Sequence, residues 1–303
     1  MNAFDVSNLG KRYGKRWALQ CCSLSVPTGH VVAIVGPNGA GKTTLLHCLI
    51  GLVESSTGEA FVLNGLVAGS PEALDRVAFV AQNAPLYKYL SVAQMIEVTR
   101  NLNRNFDTAL AKHRLDVLGI GLDQRVGKLS GGQQAQLALA LALARHPDLL
   151  ILDEPLARLD PLARYEFMGV LMTATAEKGL SVVFSSHVVS ELERVADYLI
   201  VINSGRVQIA SEIDELLNRH ALLTGPVEEL DRLSEIVDVV QTYRADRQAR
   251  VLVRTRGVTS IGGNWESSSV SLEELVLAYL RDPDASALRS SNEVVSHVRG
   301  ARA

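Results

Sequence analysis

Residues 30–52 read HVVAIVGPNGAGKTTLLHCLIGL, and their reading decides the rest of the chain. The unbroken apolar run Val31, Val32, Ala33, Ile34, Val35 fits a parallel strand buried on both faces. A glycine-rich turn follows, then a helix opening at Gly41-Lys42-Thr43-Thr44. Gly36, Gly41, Lys42 and Thr43 satisfy G-x-x-x-x-G-K-[ST] in the strand–turn–helix setting that a phosphate-binding loop requires. Such a turn also occurs as plain connecting structure, but the chemistry favours the ligand. Glycines let successive backbone N–H groups curl around phosphate oxygens with no Cβ in the way. The free N–H groups and dipole of the helix start favour an anion. Lys42 adds a point charge near the β- and γ-phosphates, and Thr43 offers a hydroxyl to Mg²⁺. The residues 36–44, Gly36, Pro37, Asn38, Gly39, Ala40, Gly41, Lys42, Thr43 and Thr44, therefore read as a nucleoside-triphosphate cradle.

With 303 residues, 47% of them hydrophobic, the chain can build one large domain or a domain with an appendage, and disorder is excluded. A net charge of −3 with interspersed signs gives no broad field for nucleic acid. Cys21, Cys22 and Cys48 have no metal or redox spacing, so reduced and mostly buried thiols of a cytosolic protein are expected. No run reaches the roughly 18 apolar residues of a spanning helix, and residues 1–5 lead straight into a polar stretch with no signal-peptide pattern.

Residues 4–9 and 17–26 read as strands around Gly14-Lys15. Tyr13 stands in that loop, where a tyrosine either stacks on a base, worth about 1–3 kcal/mol, or simply lies on the surface. Strands are expected at 59–63 and 76–81, the second ending at Gln82. Gln82 can touch Mg²⁺ or its water as its loop approaches, or remain a solvated amide. From Ser91 the apolar spacing turns helical, with Ser91 and Asp107 as N-caps, so residues 91–144 read as a helical insertion. It contains Leu129-Ser130-Gly131-Gly132-Gln133 before an apolar helix, a second helix start suited to an anion. A two-fold dimer gives it a use: each copy's Ser130, Gly131, Gly132 and Gln133 would face the γ-phosphate held by the other copy's loop.

Residues 148–155 read DLLILDEP, a buried strand whose carboxylates emerge at the ligand end of an open α/β sheet. Asp153 can hold Mg²⁺, and Glu154 can orient or deprotonate the water that attacks the γ-phosphate. Asp160 precedes Pro161 and can cap the following helix, cross a dimer interface, or both. A helix over 161–177 and a strand over 180–185 lead to His187, placed to donate a hydrogen bond to the γ-phosphate. A helix over 190–196 and a hairpin around Asn203-Ser204-Gly205 complete the pattern, which ends near Arg219. Beyond it, residues 220–281 suggest a small α+β appendage closed by an amphipathic helix, SLEELVLAYLR, with Ser271 and Glu274 at capping-box spacing. Residues 282–303 are polar and expected to be disordered.

Taken in order, Tyr13, GPNGAGKTT, Gln82, LSGGQ, LLILDEP, Asp160 and His187 resemble the motif set of an ABC-transporter ATP-binding subunit over residues 4–219. The resemblance implies a P-loop NTPase cassette: a RecA-like α/β core, an N-terminal antiparallel β subdomain and an inserted helical subdomain, with the small appendage added. It also implies ATP and Mg²⁺ as ligands and hydrolysis assisted by Glu154, His187, Lys42 and Gln82, with Thr43, Gln82 and Asp153 on the metal. The implied partners are a second ATP-binding subunit, in a homodimer, and separate transmembrane permease subunits, which would hold the chain at the inner face of the membrane. Within the family, NAPLYKYLSVAQMIE, the single cassette and SLEELVLAYLR resemble ATPase subunits of bacterial ABC-2-type exporters. An importer subunit, a ribosome- or DNA-associated ABC ATPase and a P-loop kinase are the alternatives. Two departures stand out: Gln134-Ala135-Gln136 where a basic residue often follows the signature, and Arg158 where a small residue is usual.

Overall fold

The computed structural model describes residues 1–83, 85–157, 159–189, 192–193, 195–255 and 264–282, without the side chains of 177 and 178. Arg158, part of the proposed 190–196 helix and nearly all of the 282–303 tail therefore lie outside the described residues. Leu192, Glu193 and Val195 lie in turns.

The chain opens with two long strands, β1 (Asn2–Tyr13) and β2 (Arg16–Pro27), joined at Gly14-Lys15. Next come β3 (Val31–Val35), α1 (Lys42–Leu49), β4 (Thr57–Val62), β5 (Leu66–Val67), α2 (Pro71–Arg76) and β6 (Val77–Val80). The helical insertion supplies α3 (Val92–Leu102), α4 (Thr108–Val117) and α5 (Gly131–Leu143). The α/β pattern then resumes with β7 (Leu149–Leu152), α6 (Pro161–Lys178), β8 (Ser181–Ser186), β9 (Tyr198–Asn203), β10 (Arg206–Glu212) and α7 (Ile213–Asn218). The appendage holds β11 (His220–Pro226), α8 (Leu230–Ser234), β12 (Asp238–Ala245), β13 (Gln248–Arg254), β14 (Glu266–Ser268) and α9 (Leu272–Arg281).

Three sheets result. The first has the order β2-β1-β4-β5 and the central one β10-β9-β3-β8-β7-β6, all parallel within the latter except the β9–β10 hairpin. Strand β3 explains the layering. Val31, Ala33 and Val35 enter a core shared with α5 and α6, while Val32 and Ile34 enter the core under α1 and the first sheet. Both faces are dry, so apolar alternation has no reason to appear. The short α2 and the two-residue β5 are absent from the sequence reading; Ser70 as cap and Pro71 at the first helical position were the available signals.

From Leu137 to Leu143, helix α5 is apolar all round for a specific reason. Leu137, Ala140 and Leu141 join the core of the helical insertion, while Leu139, Ala142 and Leu143 join the core of the central sheet. A helical segment wedged between two cores has no face left for water, whereas the opening turns of α5, residues 131–135, stay partly exposed. It therefore links the inserted subdomain rigidly to the sheet.

The appendage's sheet (β12-β13-β11-β14) also uses both faces. Leu223, Val251 and Val253 pack under α8 in a small core of their own. Leu222 and Leu252, with Leu275, Val276 and Tyr279 of α9, merge with Val201, Ile209 and Leu216 of the cassette. The cassette also binds the end of α9: Asn203 Nδ2 donates to Leu280 O (2.9 Å) and Gln208 Nε2 to Tyr279 O (2.9 Å). These amides satisfy carbonyls that a helix C-terminus leaves without partners.

His220 completes the junction. It is 5% exposed, with Nδ1 2.7 Å from Leu216 O and Nε2 2.8 Å from Tyr279 Oη. The carbonyl only accepts, so Nδ1 carries the proton and Nε2 accepts from the tyrosine. Burial lowers the His220 pKa below its ordinary 6.5; the Leu216 carbonyl pulls the other way, and Arg254 and Arg219 add to the lowering. The unfolded chain therefore takes up a proton below about pH 6.5 that the folded chain refuses, and stability falls as pH drops through that window. Urea denaturation is expected to show less stability at pH 5.5 than at 7.5, with His220→Gln flattening that slope. Tyr279→Phe, which strands the buried Nε2, is expected to cost about 1–3 kcal/mol at pH 7.5.

Candidate active site

Four strand ends build the site. Strand β3 delivers the loop 36–41 and α1, β6 delivers Gln82, β7 delivers Asp153 and Glu154, and β8 delivers Ser185 and His187. All four strands run parallel, so their C-terminal ends share one edge of the sheet, where ligands of open α/β folds bind.

The loop is shaped by what it cannot accommodate. A Cβ on Gly36 would stand 2.1 Å from Ile202 O, and one on Gly41 2.5 Å from Ala18 O. Gly41 also caps α1 at φ 111°, a left-handed geometry that disfavours a side chain. No side chain caps α1 and its first turn has no acid, so its opening N–H groups are not taken by a protein carboxylate. Pro37, Asn38 and Gly39 are exposed, and Ala40 is buried.

Lys42 is only 5% exposed. Its ammonium donates to Gly36 O (2.8 Å) and Pro37 O (3.4 Å) and lies 3.6 Å from Glu154 Oε1. Glu154 in turn accepts from Gln82 Nε2 at 3.1 Å and lies 3.5 Å from His187 Nδ1. Thr43 Oγ1 donates to Asp153 Oδ1 at 3.2 Å. Lys42, Thr43, Gln82, Asp153, Glu154 and His187 thus form one connected cluster from four parts of the chain.

Thr43, Asp153 and the Gln82 amide offer oxygen donors suited to a hard cation. Among the described residues no group of three or more His, Cys, Asp or Glu side chains could hold a metal alone. That donor set fits Mg²⁺, which commonly takes one or two carboxylates together with substrate phosphates rather than a protein cage.

The other sequence candidates fall into two places. Tyr13 sits at the β1–β2 hairpin tip, 52% exposed, with Lys11 Nζ 5.2 Å from its ring centroid. That tip neighbours the loop, since Arg16 Nη2 comes within 3.8 Å of where a Gly39 Cβ would be. Ser130 through Gln133 open α5 in a capping box: Ser130 Oγ accepts from Gln133 N–H (3.2 Å), and Gln133 Oε1 from Ser130 N–H (3.0 Å). Asp160 caps α6 through Ala163 N–H at 2.9 Å. A Cβ on Gly132 would stand 3.1 Å from Ala163 Cβ, so Ser130–Gln133 and the Asp160 turn are neighbours of one another. Their hydrogen bonds are local and do not enter the Lys42–Glu154 cluster.

Sequence reasoning missed Ser185. Its hydroxyl donates to Asp153 Oδ1 at 2.7 Å and accepts from Glu154 N–H at 2.8 Å. The available signal was a pair of serines following the apolar run Val182-Val183-Phe184.

This architecture is that of a P-loop cassette, and similarity to known proteins agrees. The family model for ABC transporters matches residues 19–157. The lantibiotic transport ATP-binding protein SrtF of Streptococcus pyogenes is 35% identical over 225 residues, 73% of this chain and 96% of that protein. The chain belongs to the ABC transporter ATP-binding family, whose members are ATPases. An uncharacterised ABC transporter ATP-binding protein of Nostoc sp. is 33% identical over 66% of this chain and 61% of its own length. The sulfate/thiosulfate import protein CysA of Burkholderia mallei is 38% identical over 67% of this chain and 60% of its own. The match thus spans about three fifths of the length of those two relatives. A dimeric ATP-binding cassette in a post-hydrolysis state with ADP and Pi superposes with a TM-score of 0.62 at 25% identity, over 69% of this chain and 98% of that one.

Gly36→Ala tests the packing of the loop. The added methyl is expected to push β9 away from β3 and lower stability by about 1–3 kcal/mol, read as a lower thermal midpoint.

Proposed function

We propose that the chain is the ATP-hydrolysing subunit of an ABC transporter and powers separate transmembrane permease subunits, in a bacterial ABC-2-type exporter. The observation that carries the reading is the cluster in which Lys42, Glu154, Gln82 and His187 converge beside Thr43 and Asp153. Export is favoured by the resemblance of NAPLYKYLSVAQMIE and SLEELVLAYLR to exporter subunits. Among the relatives' names, one speaks of lantibiotic transport and another of sulfate/thiosulfate import. No helix among the described residues is long and apolar enough to cross a membrane, which suits a subunit held at the inner face by a permease.

In this reading the loop 36–44 wraps the triphosphate with its N–H groups, and Tyr13 stacks on the adenine. Lys42 turns its ammonium toward the β- and γ-phosphates. Thr43, Asp153 and Gln82 would hold Mg²⁺, and the bound ion would supply positive charge against the phosphate oxygens. Glu154 orients the attacking water and takes its proton, and His187 donates to the γ-phosphate. Ser130–Gln133 and Asp160 act on the nucleotide of a second copy, consistent with their separation from this chain's own cluster. Such a homodimer parallels the dimeric cassette with ADP and Pi. Residues 220–281 serve as a regulatory or dimer-stabilising appendage.

Glu154→Gln is expected to keep ATP binding, lose turnover by orders of magnitude and accumulate a closed dimer; parental hydrolysis by that variant would discard the role of Glu154. Lys42→Ala is expected to weaken nucleotide binding itself, read by titration with a fluorescent ATP analogue.

A further inference from the structure

We propose that Ser185 is the positioning residue that locks the metal-side carboxylate of Asp153 to the water-side carboxylate of Glu154, a role that rests on the function just given. Ser185 is fully buried, and its hydroxyl has one proton to give. The Glu154 N–H takes the oxygen's acceptor side at 2.8 Å, so the proton points to Asp153 Oδ1 at 2.7 Å. The order N–H, O–H, carboxylate is therefore fixed by what each group can donate and accept. The hydroxyl of Ser186, next on the same strand, bonds among the described residues only to the backbone of Val188.

The backbone of Glu154 shows what this arrangement maintains. Its φ of 44° lies in the left-handed region, which costs a residue with a Cβ about 1 kcal/mol or more. Asp153 N–H is held by Val80 O at 2.9 Å, and Glu154 N–H by Ser185. Pinned on both peptides, the chain turns sharply after β7. The turn aims the Glu154 carboxylate toward Lys42, Gln82 and His187 rather than along the strand. Thr43 shares Asp153 Oδ1 at 3.2 Å but is an exposed residue of α1, whereas the Ser185 bond is shorter and buried. When Thr43 gives its hydroxyl to the cation, Ser185 keeps Asp153 in place. One side chain thereby sets the metal ligand and the water-orienting group in register.

The test uses the purified chain and three readouts: kcat, metal-free binding of a fluorescent ATP analogue, and Mn²⁺ half-saturation of the nucleotide complex in a non-hydrolysing Glu154→Gln background. Ser185→Ala is expected to lower kcat about tenfold, the scale of one charge-assisted hydrogen bond. It should raise the Mn²⁺ half-saturation several-fold and leave metal-free nucleotide binding unchanged. Ser185→Thr, which keeps the hydroxyl, should return both quantities toward the parent. Three results overturn the proposal: parental kcat and Mn²⁺ dependence in Ser185→Ala, loss of metal-free nucleotide binding in step with kcat, or Ser185→Thr behaving as Ser185→Ala. A parent chain that neither binds nor hydrolyses ATP overturns the underlying functional reading instead.

Discussion

A buried ammonium ion is the constraint from which the site follows. Lys42 lies at the tip of a sheet with two dry faces and is almost wholly removed from water. A charge in that setting costs several kcal/mol unless it is paired and hydrogen-bonded. Two loop carbonyls and the Glu154 carboxylate surround it. With the Gly36 and Pro37 carbonyls turned toward Lys42, the loop needs glycines where it meets Ile202 and Ala18. Glu154 in turn needs a neighbouring strand to end within reach, and only parallel strands bring several such ends to one edge.

The same economy of space governs the helices. Because α5 serves two cores, the opening Ser130–Gln133 turn is tied to the position of the whole helical insertion relative to the sheet. A movement of that insertion would carry this turn as a rigid piece. Its neighbour, the Asp160 turn opening α6, leaves β7 just beyond Glu154. Only five residues of chain separate Glu154 from Asp160. The appendage is bound to this body in a comparable manner. Helix α9 packs against the cassette's core and takes hydrogen bonds from Asn203 and Gln208, so α9 and the sheet beneath it are packed on the cassette and not merely tethered to it.

The sequence by itself determined whatever depends on contiguous residues. The strand–loop–helix of residues 31–49 and the caps at Ser91, Asp107, Asp160 and Ser271 are all local in origin. Capping and turn chemistry act over three or four residues, so a string of letters records them directly. The family's motif order was legible for the same reason, each motif being short. What the tertiary structure alone decided lies in contacts between distant segments. Ser185 meets Asp153 from 32 residues away. His220 finds Tyr279 across 59. α9 joins the cassette's core although its spacing announces nothing more than an amphipathic helix. A serine at the end of a strand has many uses in an unfolded string; burial beside two carboxylates leaves it one.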